Sequence, residues 1–262
     1  MTNIFWSEFG VLFLAAIVGG LAILPYSFEL VKLAGQSKAL KMSKPKLILL
    51  SLLQTAVLFA IVIAVGLLTA HAIGIGAPYF EARLAHTLIP TLTPMLSEAL
   101  ILGVVGGLFL FLFDYLFLSY LPKILVDTTR TTTIWQNLAA SFYGGVNEEL
   151  LMRLFGFSVI AWLLSRVWHT QTHMPTVVVL WTANIIMAII FGLGHLPTTK
   201  NLVGKLTPFL TIRALLLNGM IGLVCGWLFW QKGIEAAMLA HFSADIIYHV
   251  GGNIVIRLSK NL

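Results

Sequence analysis

Long blocks of apolar residues, separated by short polar stretches, constrain this chain more than any other feature. A helix that crosses the hydrocarbon core of a bilayer needs about 20 mostly apolar residues, and each block is close to that length. The chain is therefore predicted to fold as an all-α, polytopic transmembrane bundle of about seven spans. The spans are expected at residues 9–31, 47–70, 98–121, 136–167, 176–195, 208–230 and 234–256.

The composition excludes a water-soluble domain. Of 262 residues, 59% are hydrophobic and 10% are charged, whereas soluble domains carry about 25% charged residues. The formal net charge of +6 does not indicate nucleic-acid binding, because the lysines lie between the apolar blocks rather than among aromatic residues on a polar surface. The lipid bilayer is the expected environment.

The basic residues predict the orientation in the membrane, because cytoplasmic segments are enriched in Lys and Arg. The richest cluster is Lys32, Lys38, Lys41, Lys44 and Lys46. The same side also receives Lys123, Arg130, Lys200, Lys205, Arg257 and Lys260, and the other side receives Arg83, Arg166 and Lys232. We therefore expect an integral protein of a bacterial or archaeal plasma membrane, with its N-terminus outside and its C-terminus in the cytoplasm.

Short connections between the blocks predict one integral membrane domain over residues 1–262. The longest connection, 72–97, is rich in Gly and Pro and is expected to carry a short interfacial helix around Tyr79–His86. The fourth block is too long for one straight span. Because glycine weakens a helix, we expect a break near Gly144 and Gly145.

Ionisable side chains inside a span are costly and indicate function. The fourth span contains Glu148, Glu149 and Arg153. Glu149 and Arg153 are four residues apart, so they share a helix face and can pair. Glu148 has no partner at that spacing, and an unpaired carboxylate in an apolar setting suits a general base. The alternative is a buried ion-pair network that only fixes helix packing.

The fifth and seventh spans add histidines and one more carboxylate. His195 stands just before Pro197, which is expected to end the fifth helix, and taken alone it is more typical of a structural histidine. His241 and Asp245 share a face of the seventh span. Asp245 can orient the imidazole or act as a second oxygen ligand, whereas His249, one turn further, is interpreted as peripheral.

The remaining polar residues are assigned structural roles. Asp114 is predicted to hydrogen-bond between helices, for example to a residue of the sixth span. His71 and His86 belong to the outer loop region and are expected to be solvated. Cys225, the only cysteine, lies in an apolar block and is expected to be a small buried hydrophobe.

The three clusters together provide what the hydrolysis of a carbonyl compound by one water requires. A carboxylate is available as the base, and histidines are available to hold a metal ion or to polarise an oxyanion. Helix packing alone does not explain such a set of charges within a membrane. The sequence therefore predicts a hydrolytic site.

Three motifs carry a resemblance to a known family. They are Glu148-Glu149-x-x-x-Arg153, Phe191-x-x-x-His195 and His241-x-x-x-Asp245. Their order and spacing resemble those of the CPBP family, the CAAX proteases and bacteriocin-processing enzymes of the ABI group, which includes the type II CAAX prenyl protease. The resemblance covers roughly residues 140–250 and implies an intramembrane endopeptidase with its catalytic core at about 136–256.

The resemblance also implies a role for each motif. Glu148 is the base that activates water, assisted by His195. His241 and Asp245 hold a metal ion or line the oxyanion site, while Glu149 and Arg153 form the supporting pair.

A divalent metal ion, with zinc the first choice, is a further implication of the resemblance. Its candidate ligands are Glu148, His195, His241 and Asp245, and a metal-free mechanism driven by the glutamate is the alternative. Asp245 stands where the prenyl protease branch has Asn. Because an ionised Asp can only accept hydrogen bonds, Asp245 favours metal ligation or orientation of His241 over donation to an oxyanion.

The implied substrate is a membrane-tethered protein or peptide, either prenylated or carrying a leader sequence. Two other functions remain open. The family that the motifs resemble also includes immunity proteins, which suggests a non-catalytic scaffold, and buried Glu, His and Asp also serve the proton relays of coupled transporters. The sequence shows no inverted repeat of the kind that transporters use.

Overall fold

Helices account for the regular structure of residues 2–35, 43–88 and 91–258, which are the residues that the computed structural model describes. Within these ranges the only β-type pairing is an isolated bridge between His169 and Pro175. The all-α prediction is confirmed. Lys38, Lys41 and Lys260, which were used to predict the orientation, lie outside the described residues.

The helices follow one another along the chain with short connections. The α-helices are α1 (Thr2–Ala22), α2 (Leu24–Leu33), α3 (Lys44–Ala72), α4 (Pro78–Leu84), α5 (Leu92–Leu116), α6 (Lys123–Thr131), α7 (Ile134–Tyr143), α8 (Ser158–Ser165), α9 (Val177–Gly194), α10 (Leu196–Val203), α11 (Pro208–Lys232), α12 (Ile234–Asp245) and α13 (Gly252–Leu258). A 3₁₀ turn covers Leu118–Tyr120, and π-helical stretches cover Gly144–Glu148, Leu150–Phe157 and Ile246–Gly251.

Five of the described helices are long and apolar enough to cross a membrane. They are Ile4–Leu33, Lys44–Ala72, Leu92–Leu116, Val177–Val203 and Pro208–Lys232, which correspond to the first, second, third, fifth and sixth predicted spans. Many large apolar side chains on these helices are exposed, as expected where lipid rather than water is the solvent. The chain is an integral membrane protein, and α4 is the short helix predicted around Tyr79–His86.

The fourth and seventh predicted spans each contain π-helical turns. The helical backbone from Ile134 to Ser165 is continuous, because α7 passes into the first π stretch at Gly144 and α8 follows the second. The predicted break at Gly144 and Gly145 is therefore wrong. A third π stretch joins α12 to α13, and since both helices are divided in this way, the count of seven spans stays a prediction.

Gly144 and Gly145 allow close packing instead of ending the helix. A Cβ at Gly144 would lie 2.6 Å from Asp245 Oδ2, and one at Gly145 would lie 2.8 Å from the Cβ of Phe242. The intrinsic cost of a helical glycine is only about 1 kcal/mol relative to Ala, which packing on α12 can offset. π turns occur often at functional sites, and here they carry the first motif.

A second close approach holds α12 against α5. Gly103 and Gly107 are four residues apart on one face of α5, opposite Ala240 and Ala244 of α12. A Cβ at Gly107 would lie 2.6 Å from the carbonyl oxygen of Ala244 and 2.9 Å from its Cα. Small residues at this spacing let the backbones of membrane helices approach closely, so α5 fixes the helix that carries the third motif.

We expect Gly107→Ala to destabilise the protein, because the added methyl group meets backbone atoms that cannot move aside. Overpacking of this kind costs about 1–3 kcal/mol, which thermal unfolding of the purified protein in detergent would detect as a lower midpoint. Gly10→Ala is the matched control, because a Cβ at Gly10 meets nothing within 4 Å. Equal midpoints for the two variants would contradict the close approach.

Candidate active site

A buried carboxylate, Glu149, lies at the centre of the polar cluster. Its Oε1 accepts a hydrogen bond from Nδ1 of His241 at 2.6 Å and another from Arg153 at 2.8 Å. Glu149, Arg153 and His241 are 0%, 2% and 3% exposed. The predicted pairing of Glu149 with Arg153 is confirmed, and the structure adds His241 to the pair.

The bond to Glu149 fixes the orientation of the His241 ring. Because a carboxylate can only accept, Nδ1 carries the proton and Nε2 points to the other side of the ring. There, Nε2 lies 3.8 Å from Glu148 Oε2 and 3.8 Å from Asp245 Oδ1. These separations exceed a hydrogen bond, so one imidazole nitrogen and two carboxylates surround a gap.

Helix packing explains why the first motif lies beside the third. The side chain of Asn147 donates to the carbonyl of Ala16 at 2.9 Å, which anchors the first π stretch to α1. On the opposite side, Gly144 brings the same stretch to Asp245 and His241 of α12. Glu148, the residue after Asn147, is thereby held next to the gap.

Arg153 connects the cluster to two further helices. Its second terminal nitrogen donates to the carbonyl of Gly222 in α11 at 2.9 Å. Its guanidinium also lies 5.1 Å from the centre of the Phe191 ring in α9, within the range of a cation–π contact. Arg153 therefore contacts the second motif directly and the third motif through Glu149, which bonds to His241.

His195 is separated from His241 by the ring of Phe191. Both imidazoles meet this ring edge to face, with centroid separations of 4.8 Å for His195 and 5.6 Å for His241. Nδ1 of His195 lies 2.9 Å from the carbonyl of Phe191, so Nδ1 carries the proton and Nε2 is left as an acceptor. The predicted end of the helix before Pro197 is confirmed, because α9 ends at Gly194 with His195 as its C-cap. A separate helix, α10, begins at Leu196, and proline is tolerated in its first turn.

Two groups of three potential metal ligands have their ligand atoms within 4.8 Å of one another among the described residues. One is Glu149, Cys225 and His241, and the other is Glu8, His71 and Glu81. In the first group, Arg153 already supplies a positive charge, which opposes a cation at the same place. The predicted metal ligands do not form such a group, because their ligand atoms do not all lie within 4.8 Å of one another. They are Glu148, His195, His241 and Asp245, and all but His195 surround the gap.

A cavity of about 150 Å³, with a mainly apolar lining, adjoins the cluster on the side that the basic residues predict to be cytoplasmic. His249 lines it and lies 4.0 Å from Asp245 Oδ1, so it lies closer to the cluster than its interpretation as peripheral implies. Arg213 of α11 binds Asp114 of α5 through two nitrogens, and Tyr248 donates to the same carboxylate. The prediction that Asp114 bonds to the sixth span is confirmed.

Sequence reasoning missed two features of this cluster. It assigned the orientation of His241 to Asp245, whereas Glu149 holds the Nδ1 atom. It also quoted Phe191 only as a motif position, although its ring contacts Arg153, His195 and His241. The sequence did contain a signal for this contact, because Phe191 lies four positions before His195 and residues at that spacing share a helix face.

Apolar helices around a buried cluster of Glu, His, Arg and Asp define an integral membrane protein with a site suited to hydrolysis. Residues 130–247 match the family model described as Rce1-like, type II CAAX prenyl endopeptidase Rce1-like. The matched segment is a little under half of the chain, contains all three motifs and supports an assignment to the CAAX protease family. No curated protein and no solved structure matches the chain.

Proposed function

We propose that this protein hydrolyses a peptide bond in a membrane-tethered protein or peptide, with Glu148 activating the water. The observation that carries the proposal is the gap at Nε2 of His241, which has Glu148 and Asp245 each at 3.8 Å. A water molecule in such a gap can hydrogen-bond to all three side chains. The match to the CAAX protease family model supports proteolysis as the reaction.

Proton transfer follows from the chemistry of these groups. Glu148 removes one proton from the water while its oxygen attacks the substrate carbonyl carbon. The new C–O bond forms, the C–N bond breaks, and Glu148 returns the proton to the leaving amine. The Glu148 side chain is 25% exposed, so it is more accessible to water than the buried Glu149 and suits the role of general base.

Glu149 acts in this scheme as a positioning residue. Its bond to Nδ1 keeps the Nε2 face of His241 towards the gap, and its bond to Arg153 holds the Glu149 carboxylate in place. The arrangement is that of a carboxylate that orients a histidine ligand from behind. His195 is proposed to assist from the far side of Phe191, through its unprotonated Nε2.

The chemical types of the donor atoms around the gap are those that bind a divalent metal ion, although these atoms do not all lie within 4.8 Å of one another. One imidazole nitrogen and carboxylate oxygens are the ligands that Zn²⁺ takes in hydrolytic sites. We propose Glu148, His241 and Asp245 as its ligands, with His195 the next candidate. When bound, the ion would make a coordinated water more acidic, and the metal-free route through Glu148 is the alternative.

A substrate class is proposed from the setting of the site. The cluster lies inside the helix bundle, so the cleaved bond must belong to a chain that enters from the bilayer or from the adjoining cavity. A prenylated protein or a precursor with a leader sequence fits this requirement. Under the predicted orientation, the cavity is reached from the cytoplasm.

We expect the purified protein to cleave at least one member of a panel of membrane-tethered peptides, with lipidated and unlipidated versions of each sequence. If a metal ion is used, incubation with a chelator removes activity and added Zn²⁺ restores it, because the ligands then lose the ion that holds the water. Activity unchanged by the chelator favours the metal-free route. Transport of ions or binding without cleavage across the panel would contradict proteolysis.

A further inference from the structure

A second polar cluster lies where α1, the end of α3 and α4 meet. Nε2 of His71 is 3.3 Å from Glu8 Oε2 and 3.5 Å from Glu81 Oε1. His71 was expected to be solvated, and its side chain is indeed 37% exposed, but the structure also places it beside two carboxylates. Glu8 lies just before the first predicted span and was not singled out in the sequence.

Glu8 is a buried carboxylate without adequate hydrogen bonding. It is 0% exposed, and neither of its oxygens has a hydrogen-bond partner. One Nε2 proton of His71 cannot serve two carboxylates at once. Among the described ion pairs no Lys or Arg reaches Glu8 or Glu81, and Lys232 on the same side of the bundle pairs with Glu98. Burying an ionised carboxylate in this way is costly unless it takes up a proton or a cation is bound.

The separations match those of metal ligands. Nitrogen and oxygen ligands lie about 2.1 Å from Zn²⁺ in tetrahedral geometry, so neighbouring ligand atoms are about 3.4 Å apart. The two separations from Nε2 are 3.3 and 3.5 Å. All three ligand atoms also lie within 4.8 Å of one another.

The backbone around the cluster is arranged to keep the ligands together. Glu81 Oε1 accepts the amide of Ala77 at 2.9 Å, which fixes the carboxylate at the start of α4. A Cβ at Gly76 would overlap that oxygen and lie 3.3 Å from Cδ2 of His71, so a side chain there would displace the Glu81 carboxylate. A cavity lined by His71, Gly76 and Glu81 gives access from outside.

We infer that Glu8, His71 and Glu81 form a binding site for a divalent transition-metal ion of the Zn²⁺ class, separate from the candidate active site. The ion joins α1, α3 and α4. Helix α4 is in turn attached to α12, because Glu235 accepts the amides of Tyr79 and Phe80 at 3.0 and 2.9 Å. The site therefore stabilises the packing around the helix that carries His241, on the face predicted to lie outside the cytoplasm.

The test measures metal binding by the full-length protein, purified in detergent and stripped with a chelator. Zn²⁺ is added, bound zinc per chain is counted after removal of free ions, and the thermal midpoint is recorded with and without Zn²⁺. The variants are Glu8→Gln and Glu81→Gln. Glu98→Gln is the control, because Glu98 is partly exposed, pairs with Lys232 and contacts neither His71 nor Glu8.

We expect the wild type and Glu98→Gln to bind one zinc ion more than Glu8→Gln and Glu81→Gln, and to gain several degrees in midpoint with Zn²⁺. Binding to the native state alone produces such a gain. Without metal, Glu8→Gln should be at least as stable as the wild type, since it removes a buried charge. Equal zinc counts and equal midpoint gains in all four proteins would overturn the inference. A wild type whose midpoint does not rise with Zn²⁺ would also overturn it, and would indicate that Glu8 and His71 share a proton instead of binding a metal ion.

Discussion

Glu148→Gln is expected to lower kcat for peptide cleavage by about 10³-fold, within the range that general-base catalysis contributes. The amide has nearly the shape of the carboxylate but cannot accept a proton from water. Glu148 is partly exposed and takes no part in the bond between Glu149 and His241, so the fold should be retained. KM should change little, because the substitution removes a group that acts in the transition state.

The measurement is steady-state cleavage of the best peptide of the panel by wild type and variant at equal concentration. Glu98→Gln serves as the control, since it makes the same chemical change at a glutamate outside the cluster. Matching thermal midpoints for the three proteins would show that the loss is not caused by unfolding. A Glu148→Gln variant with a kcat close to that of the wild type would exclude Glu148 as the base.

Arg153→Met is expected to cause the largest loss of stability of any single substitution in the cluster. It leaves the Glu149 carboxylate, which is 0% exposed, without its positive partner. Removing one member of a buried ion pair costs about 3–5 kcal/mol. The variant also loses the bond to the carbonyl of Gly222 and the contact with Phe191. For a chain of this length, a loss of that size lowers the thermal midpoint by about 10 °C.

The control for this prediction is the double variant Glu149→Gln/Arg153→Met. It has no unpaired buried charge, and replacement of both partners by neutral side chains is often tolerated. The Gln side-chain oxygen can still accept the hydrogen bond from His241. We expect the double variant to recover a large part of the lost midpoint. A double variant less stable than Arg153→Met would contradict the assignment of the effect to an unpaired carboxylate.

Local patterns made most of the helical architecture predictable. Each apolar block forms its helix within its own segment, because backbone groups in lipid must be satisfied internally. The Glu149–Arg153 pair was also predictable from a local pattern, because both residues lie on one helix and are four positions apart. Even Asp114, which bonds across to Arg213, could be assigned to a helix contact from its position inside a span.

Contacts between distant segments set the limit of prediction. The bond from His241 to Glu149 joins residues 92 positions apart, and no spacing rule specifies which carboxylate an imidazole meets. The π stretches, of which one carries Glu148 and the two flank Glu149, depend on packing against α1 and α12 and not on a local signal. Glu8, His71 and Glu81 come from three helices, and only their assembly shows that the exposed His71 lies beside two carboxylates.

The most direct test of the central claim places the purified protein and one tethered peptide alone in liposomes and determines product masses. With the wild type, the account predicts two fragments whose masses sum to the mass of the peptide plus that of one water molecule. With Glu148→Gln, it predicts that the peptide stays intact. Intact peptide with the wild type for every member of the panel, or the same fragments from both proteins, would contradict hydrolysis at this cluster.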